Sequence, residues 1–234
     1  MVIVQKHSAF SAATSNTGPN VGFLSNLTGG NAVSGYAGWF GALTDISSIT
    51  DGTNTYTIQS KIADANGYCI AQFYLLNVAG GALQPHATFS VSTPGQFMIG
   101  AYEVSGLTAF DAAANAGSNG IVNNAAAIIL PNTGSTTAAN DFVVAWCSST
   151  SSATIQAAAN GYTAETNNNG SIQDTTDGNA ITLLSQTQAS IGAIIGTSTP
   201  GIATQGSGAN DTVASGAMAF KVSAADTLMG QAIL

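Results

Sequence analysis

Arginine is absent from this chain, and charge of either sign is scarce. Of 234 residues only 6% are charged: three Lys against eleven Asp or Glu, a formal net charge of −8 at pH 7. An ordinary soluble domain carries roughly 25%. Nucleic-acid binding needs a Lys/Arg footprint to displace counterions, and Lys6, Lys61 and Lys221 stand far apart in the sequence, so no nucleic-acid partner is expected. Phosphate chemistry is disfavoured for the same reason. No Arg is present to clamp a phosphate bidentately, and neither a P-loop nor a G-x-G-x-x-G occurs.

Long apolar runs are missing as well. The longest, such as residues 125–130, have about six residues where a membrane-spanning helix needs roughly 20, so no membrane span is expected. The N-terminus, Met1-Val-Ile-Val-Gln-Lys6-His7, has too short an apolar patch for the h-region of a signal peptide. The chain is therefore expected to act without the general secretory route, or after loss of a leader. Two cysteines, Cys69 and Cys147, permit one bridge. The plainer reading is two buried free thiols; the alternative is a bridge between sheets, with Trp146 beside Cys147 as in antibody domains. The two histidines, His7 and His86, are isolated from each other and from both cysteines, so no Cys/His metal spacing exists, and no cofactor is expected.

What the chain does have is strand signal. Hydrophobic residues make up 45% of it, enough for a packed core despite the Gly/Ser/Asn bias. Short runs of Val, Ile, Thr and aromatics recur between Gly, Asn, Asp, Ser and Pro, the pattern of an all-β sandwich or barrel. Ala-rich windows at 110–117 and 153–161 are too short and too interrupted for convincing helices. Strands are expected at 2–10, 35–43, 46–50, 56–61, 68–78, 87–92, 97–105, 126–130, 141–148, 162–166, 181–188 and 214–222. The continuous runs Phe142-Val-Val-Ala-Trp146 and Phe73-Tyr-Leu-Leu76 read as central strands buried on both faces. Asp51-Gly52 and Asn66-Gly67 supply hairpin-type turns. The fold expected is all-β: a two-sheet antiparallel sandwich, jelly-roll or immunoglobulin-like, of about a dozen short strands. Residues 1–223 form its single domain, and 224–234 an apolar tail docked on the body or on a partner.

The order of several segments resembles a known class. Val-Ile-Val-Gln5 is followed by residues 46–57 (ISSITDGTNTYT), then by Ala71-Gln-Phe-Tyr74 leading to Asn77-Val-Ala-Gly-Gly81. Next come Ala87-Thr-Phe-Ser90, Ala101-Tyr-Glu-Val-Ser-Gly106 with Asp111 close behind, Thr137-Ala-Ala-Asn-Asp-Phe-Val-Val144, and Ala217-Met-Ala-Phe220. The series, spanning roughly residues 2–222, resembles the Gly/Ser/Thr-rich β-sandwich domains of bacterial extracellular proteins and phage structural proteins. These carry a "tDsaGNtYt" hairpin, an "A-x-x-Y-x-x-N-V-x-G-G" strand and an "E-Y-S-G" strand. This chain departs in having Asp-Gly-Thr-Asn in the hairpin and Tyr102-Glu103 in place of Glu-Tyr. The resemblance implies the sandwich fold and an accessory or particle-surface setting, and it implies no catalytic residues.

Among individual residues, Glu103 is the acid that stands out, because it lies inside an apolar strand. It is either satisfied by backbone donors or solvent-facing at an edge; a catalytic acid would need a partner carboxylate, for which Asp111 and Glu165 are candidates. Asp174, Asp177 and Asn179 have a spacing of oxygen donors that would suit Ca²⁺, or an Asx-type turn; Asp51 with Asn54, and Asp45, raise the same question. Tyr36, Trp39 and Phe40 would stack on sugars if exposed, but read as core, with Trp39 on the opposite face from the other two. Interface candidates are Leu228, Met229, Ile233 and Leu234 in the tail, with Ile194 and Ile195 in the Gly-rich segment 190–212.

Taken together these features favour a non-enzymatic structural protein on a virion or other extracellular particle, a capsid decoration (cement) protein in its most concrete form. Its expected partners are copies of itself, a trimer for example, and a capsid or other particle protein. The alternative is an adhesive or carbohydrate-binding module, with a glycan as partner.

Overall fold

The computed structural model describes residues 1–11, 21–63, 68–82, 84–89, 95–111, 135–149, 163–165, 180–187 and 213–223. These residues form twelve strands, all in antiparallel pairings, and contain no helix. The strands are β1 (Val2–Ser11), β2 (Ala32–Phe40), β3 (Ile46–Thr50), β4 (Thr57–Ala63), β5 (Tyr68–Leu75), β6 (His86–Phe89), β7 (Gly95–Ser105), β8 (Leu107–Phe110), β9 (Phe142–Ser149), β10 (Thr163–Glu165), β11 (Ala180–Thr187) and β12 (Val213–Val222). The first sheet has the order β1-β7-β2-β5-β4, the second β10-β11-β9-β12-β8, and β3 pairs with β6 in a small third sheet.

The two large sheets pack face to face as a sandwich. Ala32, Tyr36, Ile70, Met98, Tyr102 and Val104 of the first meet Leu107, Phe142, Val144, Met218 and Phe220 of the second. Tyr74, Phe110 and Phe220 form an aromatic cluster across this interface, with Tyr74 stacked on Phe110 and Phe220 edge-on to both. The first sheet is covered on its other face too. There Val33, Ala37, Trp39, Ala71, Phe73, Phe97, Ile99 and Ala101 pack beneath Val21, Phe23, Leu27, Ile46, Ile49, Tyr56 and Val78. β2 is accordingly buried along nearly its whole length, which explains why it reads as small and aromatic residues with no charge. Gly100 serves the same packing: a Cβ there would meet the Tyr36 ring at 2.7–2.9 Å, so only glycine lets the ring lie across β7.

Two sequence expectations are corrected in detail. The turn at Asp51-Gly52 does not close a β3–β4 hairpin: β3 pairs with β6 and β4 with β5, and the two sides of the turn share an isolated Thr50–Thr55 bridge rather than a ladder. The turn carries the chain from the covering layer into the first sheet. β8 was not anticipated, because its four residues run into the Ala-rich window at 110–117. Cys69 is a buried thiol, in line with the plainer reading of the sequence, on the face of the first sheet turned away from the second, and its sulfur lies 3.3 Å from the Gly41 carbonyl oxygen. That placement removes the case for a bridge across the sandwich to β9, the strand that contains Cys147. The expected strand at 126–130 and the tail at 224–234 lie outside the described residues.

Candidate functional site

A β-bulge creates a polar place in the interior. The register of β1 against β7 shifts between Ile3 and Gln5, so one extra residue, Val4, is inserted and the side-chain alternation changes phase. Before the bulge Ile3 faces the second sheet; after it Gln5 faces the covering layer, directly opposite Glu103 of β7. Glu103 is fully buried, and a buried carboxylate must be supplied with donors. Gln5 Nε2 donates to Oε2 at 2.6 Å, while the Thr28 amide and Asn31 Nδ2 donate to Oε1 at 2.8 and 2.7 Å. Gln5 in turn holds Ser25 through both its amide atoms: Nε2 donates to the Ser25 carbonyl at 3.1 Å, and Oε1 accepts from the Ser25 amide at 3.2 Å.

The loop so fastened is itself paired to the segment after β5. Leu27 and Gly81 exchange two backbone bonds, the Gly30 amide donates to the Val78 carbonyl, and the Val78 amide to the Asn31 carbonyl. The approach is so close that a Cβ on Gly80 would lie 2.8 Å from the Gly29 nitrogen and 3.0 Å from the Leu27 carbonyl oxygen. Asn77 turns the chain into this segment with a positive φ of 57°, a conformation Asn tolerates better than most residues.

The same segment then meets the Asp51 turn. Asn54 accepts a hydrogen bond from the Ala79 amide at 2.9 Å and donates from Nδ2 to Asp51 at 2.8 Å. Asp51 Oδ1 caps the turn, accepting from the Thr53 and Asn54 amides at 3.0 and 2.7 Å. Its Oδ2 also accepts from the Tyr56 hydroxyl at 2.6 Å. Burial alone would raise the Asp51 carboxyl, but the hydrogen bonds from Tyr56, from the Asn54 side chain and amide and from Thr53 hold it below the usual aspartate value. The Tyr56 hydroxyl is pushed up, first by burial, then by its bond to Asp51 and by the charges of Asp51 and Glu103.

This continuous network explains three of the sequence segments at once: the DGTN turn, the N-V-A-G-G segment and the strand bearing Glu103 are one hydrogen-bonded unit. It also limits what its acids can do. Each Asp51 oxygen already accepts two hydrogen bonds, which occupies the lone pairs a cation would need. Asp45 Oδ2 is likewise engaged by the Ala42 amide at 2.7 Å. Glu103 faces away from the second sheet, where Asp111 and β10 with Glu165 are placed, so the structure does not assemble the carboxylate pair considered from sequence. Tyr36 and Trp39 are fully buried, on opposite faces of β2, and Phe40 packs with Tyr36. The trio forms no sugar-stacking platform. Asp174, Asp177, Asn179, Ile194, Ile195, Leu228, Met229, Ile233 and Leu234 lie outside the described residues.

A second polar cluster had no clear sequence signal beyond Asp111 itself. Asp111 follows β8 and Asp141 precedes β9, flanking β12 from its two sides, because Phe220 of β12 is in register with both Phe110 and Phe142. Both carboxylates are buried. Asp111 Oδ2 accepts from the Thr137 amide and hydroxyl at 2.6 and 2.8 Å. Burial, together with the adjacent Asp111 carboxylate, pushes Asp141 up to about 6, against smaller opposing effects from the Ala138 amide and Lys221.

Comparison with protein-family models, with curated proteins and with solved structures gives no match for this chain.

Proposed function

We propose that this chain is a non-enzymatic structural protein that packs against copies of itself on the surface of a particle, a virion being the foremost setting and capsid decoration the concrete role. The observation that carries this reading is an exposed apolar patch on an open sheet edge. β1 is the outer strand of its sheet, yet it presents Val2 and Val4 at 62% and 44% exposure. Leu24, 57% exposed, is next in sequence to Ser25, which Gln5 of β1 holds. Open edges are ordinarily protected by charge; this one is apolar at its start, in a chain with little charge anywhere. The bulge at Val4 disfavours simple extension of the ladder, so the contact is made by side chains. Two further features support the reading: Glu103 and Asp51 are committed to holding loops together, and the motif series resembles β-sandwich domains of phage structural and bacterial extracellular proteins.

Native mass measurement of the purified full chain tests it. A stable oligomer is expected, and Val4→Lys should shift it toward monomer while leaving the fold intact, because Val4 is the exposed, looped-out residue of the bulge. A wild-type chain that stays monomeric at high micromolar concentration would refute the proposal.

A further inference from the structure

We propose that Asp111 and Asp141 hold a calcium ion between β8 and β9, on the face of the second sheet turned away from the first. The inference rests on these residues alone and not on the particle-surface reading. Asp141 has no exposed surface, and neither of its carboxylate oxygens receives a hydrogen bond. A buried carboxylate in that condition is costly unless something neutralises it. Its neighbours do not supply the deficit. Asp111, the nearest charged group, carries the same sign and raises the cost, and the Ala138 amide and the Lys221 ammonium offset only part of it.

Asp111 is rigidly presented. Its own amide donates to the Ala219 carbonyl at 2.9 Å, and Thr137 fixes its Oδ2 with two bonds. Ala219, in the strand between the two acids, carries only a methyl, and Lys221 follows it on the same face of β12. Two like-charged carboxylates converging on one buried place, with one of them unsatisfied, need either a cation or a shared proton. The side chains of Asp111, Asp141 and Thr137 offer oxygen alone, the hard set that suits Ca²⁺ rather than Zn²⁺ or copper. Calcium also accepts irregular coordination completed by water or carbonyls, whereas Mg²⁺ demands near-octahedral geometry. The ion would tie the end of β8 to the start of β9 across β12, fastening three strands of the second sheet.

Calorimetric titration of the metal-free full chain with CaCl₂ at neutral pH, paired with thermal melts in EDTA and in millimolar calcium, tests the assignment. Expected are one saturable heat and a melting temperature several degrees higher with calcium, with a smaller response to Mg²⁺. Asp141→Asn should abolish both responses. It should melt no lower than wild type in EDTA, since the amide needs no counter-charge. Asp177→Asn, in the segment whose spacing also suits calcium, should leave both responses unchanged. The assignment is overturned by a wild-type chain indifferent to millimolar calcium, which would leave the pair sharing a proton. It is equally overturned if Asp141→Asn keeps the response or if Asp177→Asn removes it.

Discussion

Two aspartates show how one residue type is driven in opposite directions by its surroundings. Asp51 is surrounded by donors and held below its ordinary value; Asp141 is buried beside another carboxylate and pushed up to about 6. The consequences for stability have opposite signs. Asp51 binds its proton less readily folded than unfolded, so its stabilisation is complete above the ordinary aspartate range and is lost as the pH falls below it. Asp141 binds a proton more readily folded than unfolded, so its contribution is complete below the unfolded value near 4 and is lost as pH rises through about 6. In EDTA the wild-type chain should therefore gain stability between neutral pH and about 5, then lose it in stronger acid. Asp141→Asn should flatten the first limb and keep the second. Denaturant midpoints across this range measure both, and an unchanged first limb in Asp141→Asn would assign it to another group.

At the scale of elements, a single side chain ties a loop and an edge strand to the same point of the first sheet. Glu103 is the common acceptor for β1 through Gln5 and for the covering loop through Thr28 and Asn31. Replacing it with Gln keeps the size but leaves at least one buried donor facing an NH₂ group. A bond to a charged acceptor is worth about 1.5–3 kcal/mol, and an orphaned buried donor costs about 1–3 kcal/mol. Glu103→Gln should destabilise the fold by about 2–3 kcal/mol and speed hydrogen exchange at Thr28 ahead of the β2 core; a midpoint equal to wild type would show the acid to be dispensable. How much of this the sequence revealed depends on what each signal encodes. β9 and β5 were legible because central strands must be apolar on both faces, and Trp39 fell opposite Tyr36 as alternation required. Glu103 was recognisable as an anomaly in an apolar strand, but its partners were not, because the β1 bulge reverses the phase of Gln5 and no local pattern announces a bulge. The DGTN turn was legible as a turn yet not in its connection, since pairing of β3 with β6 is decided by packing over Phe73 and Ala71 rather than by the turn's own chemistry. Asp141 looked like the ordinary first residue of a strand; its isolation arises only where β8 and β9 flank β12.

At the scale of the whole molecule, scarcity of charge becomes a statement about how the chain associates. Its interior supplies the usual driving force: Trp39, Tyr36, Tyr102, Phe73, Phe97 and Phe220 are all fully buried, each contributing on the order of 1.5–3 kcal/mol. Its surface has little with which to form ion pairs, since only three Lys stand against eleven acids. The Lys61 ammonium is already spent within the fold, on the Ile46 carbonyl at 2.9 Å. Copies carrying −8 each repel one another at low ionic strength. Added salt screens that repulsion over a Debye length of about 3 Å at 1 M and does nothing to weaken apolar contacts such as Val2, Val4 and Leu24 offer. Self-association should therefore hold or strengthen as NaCl is raised from low to near-molar concentration. Assembly held by ion pairs would do the reverse. Sedimentation across that range separates the two, and an oligomer that falls apart in high salt would place the contact somewhere other than the apolar edge of β1.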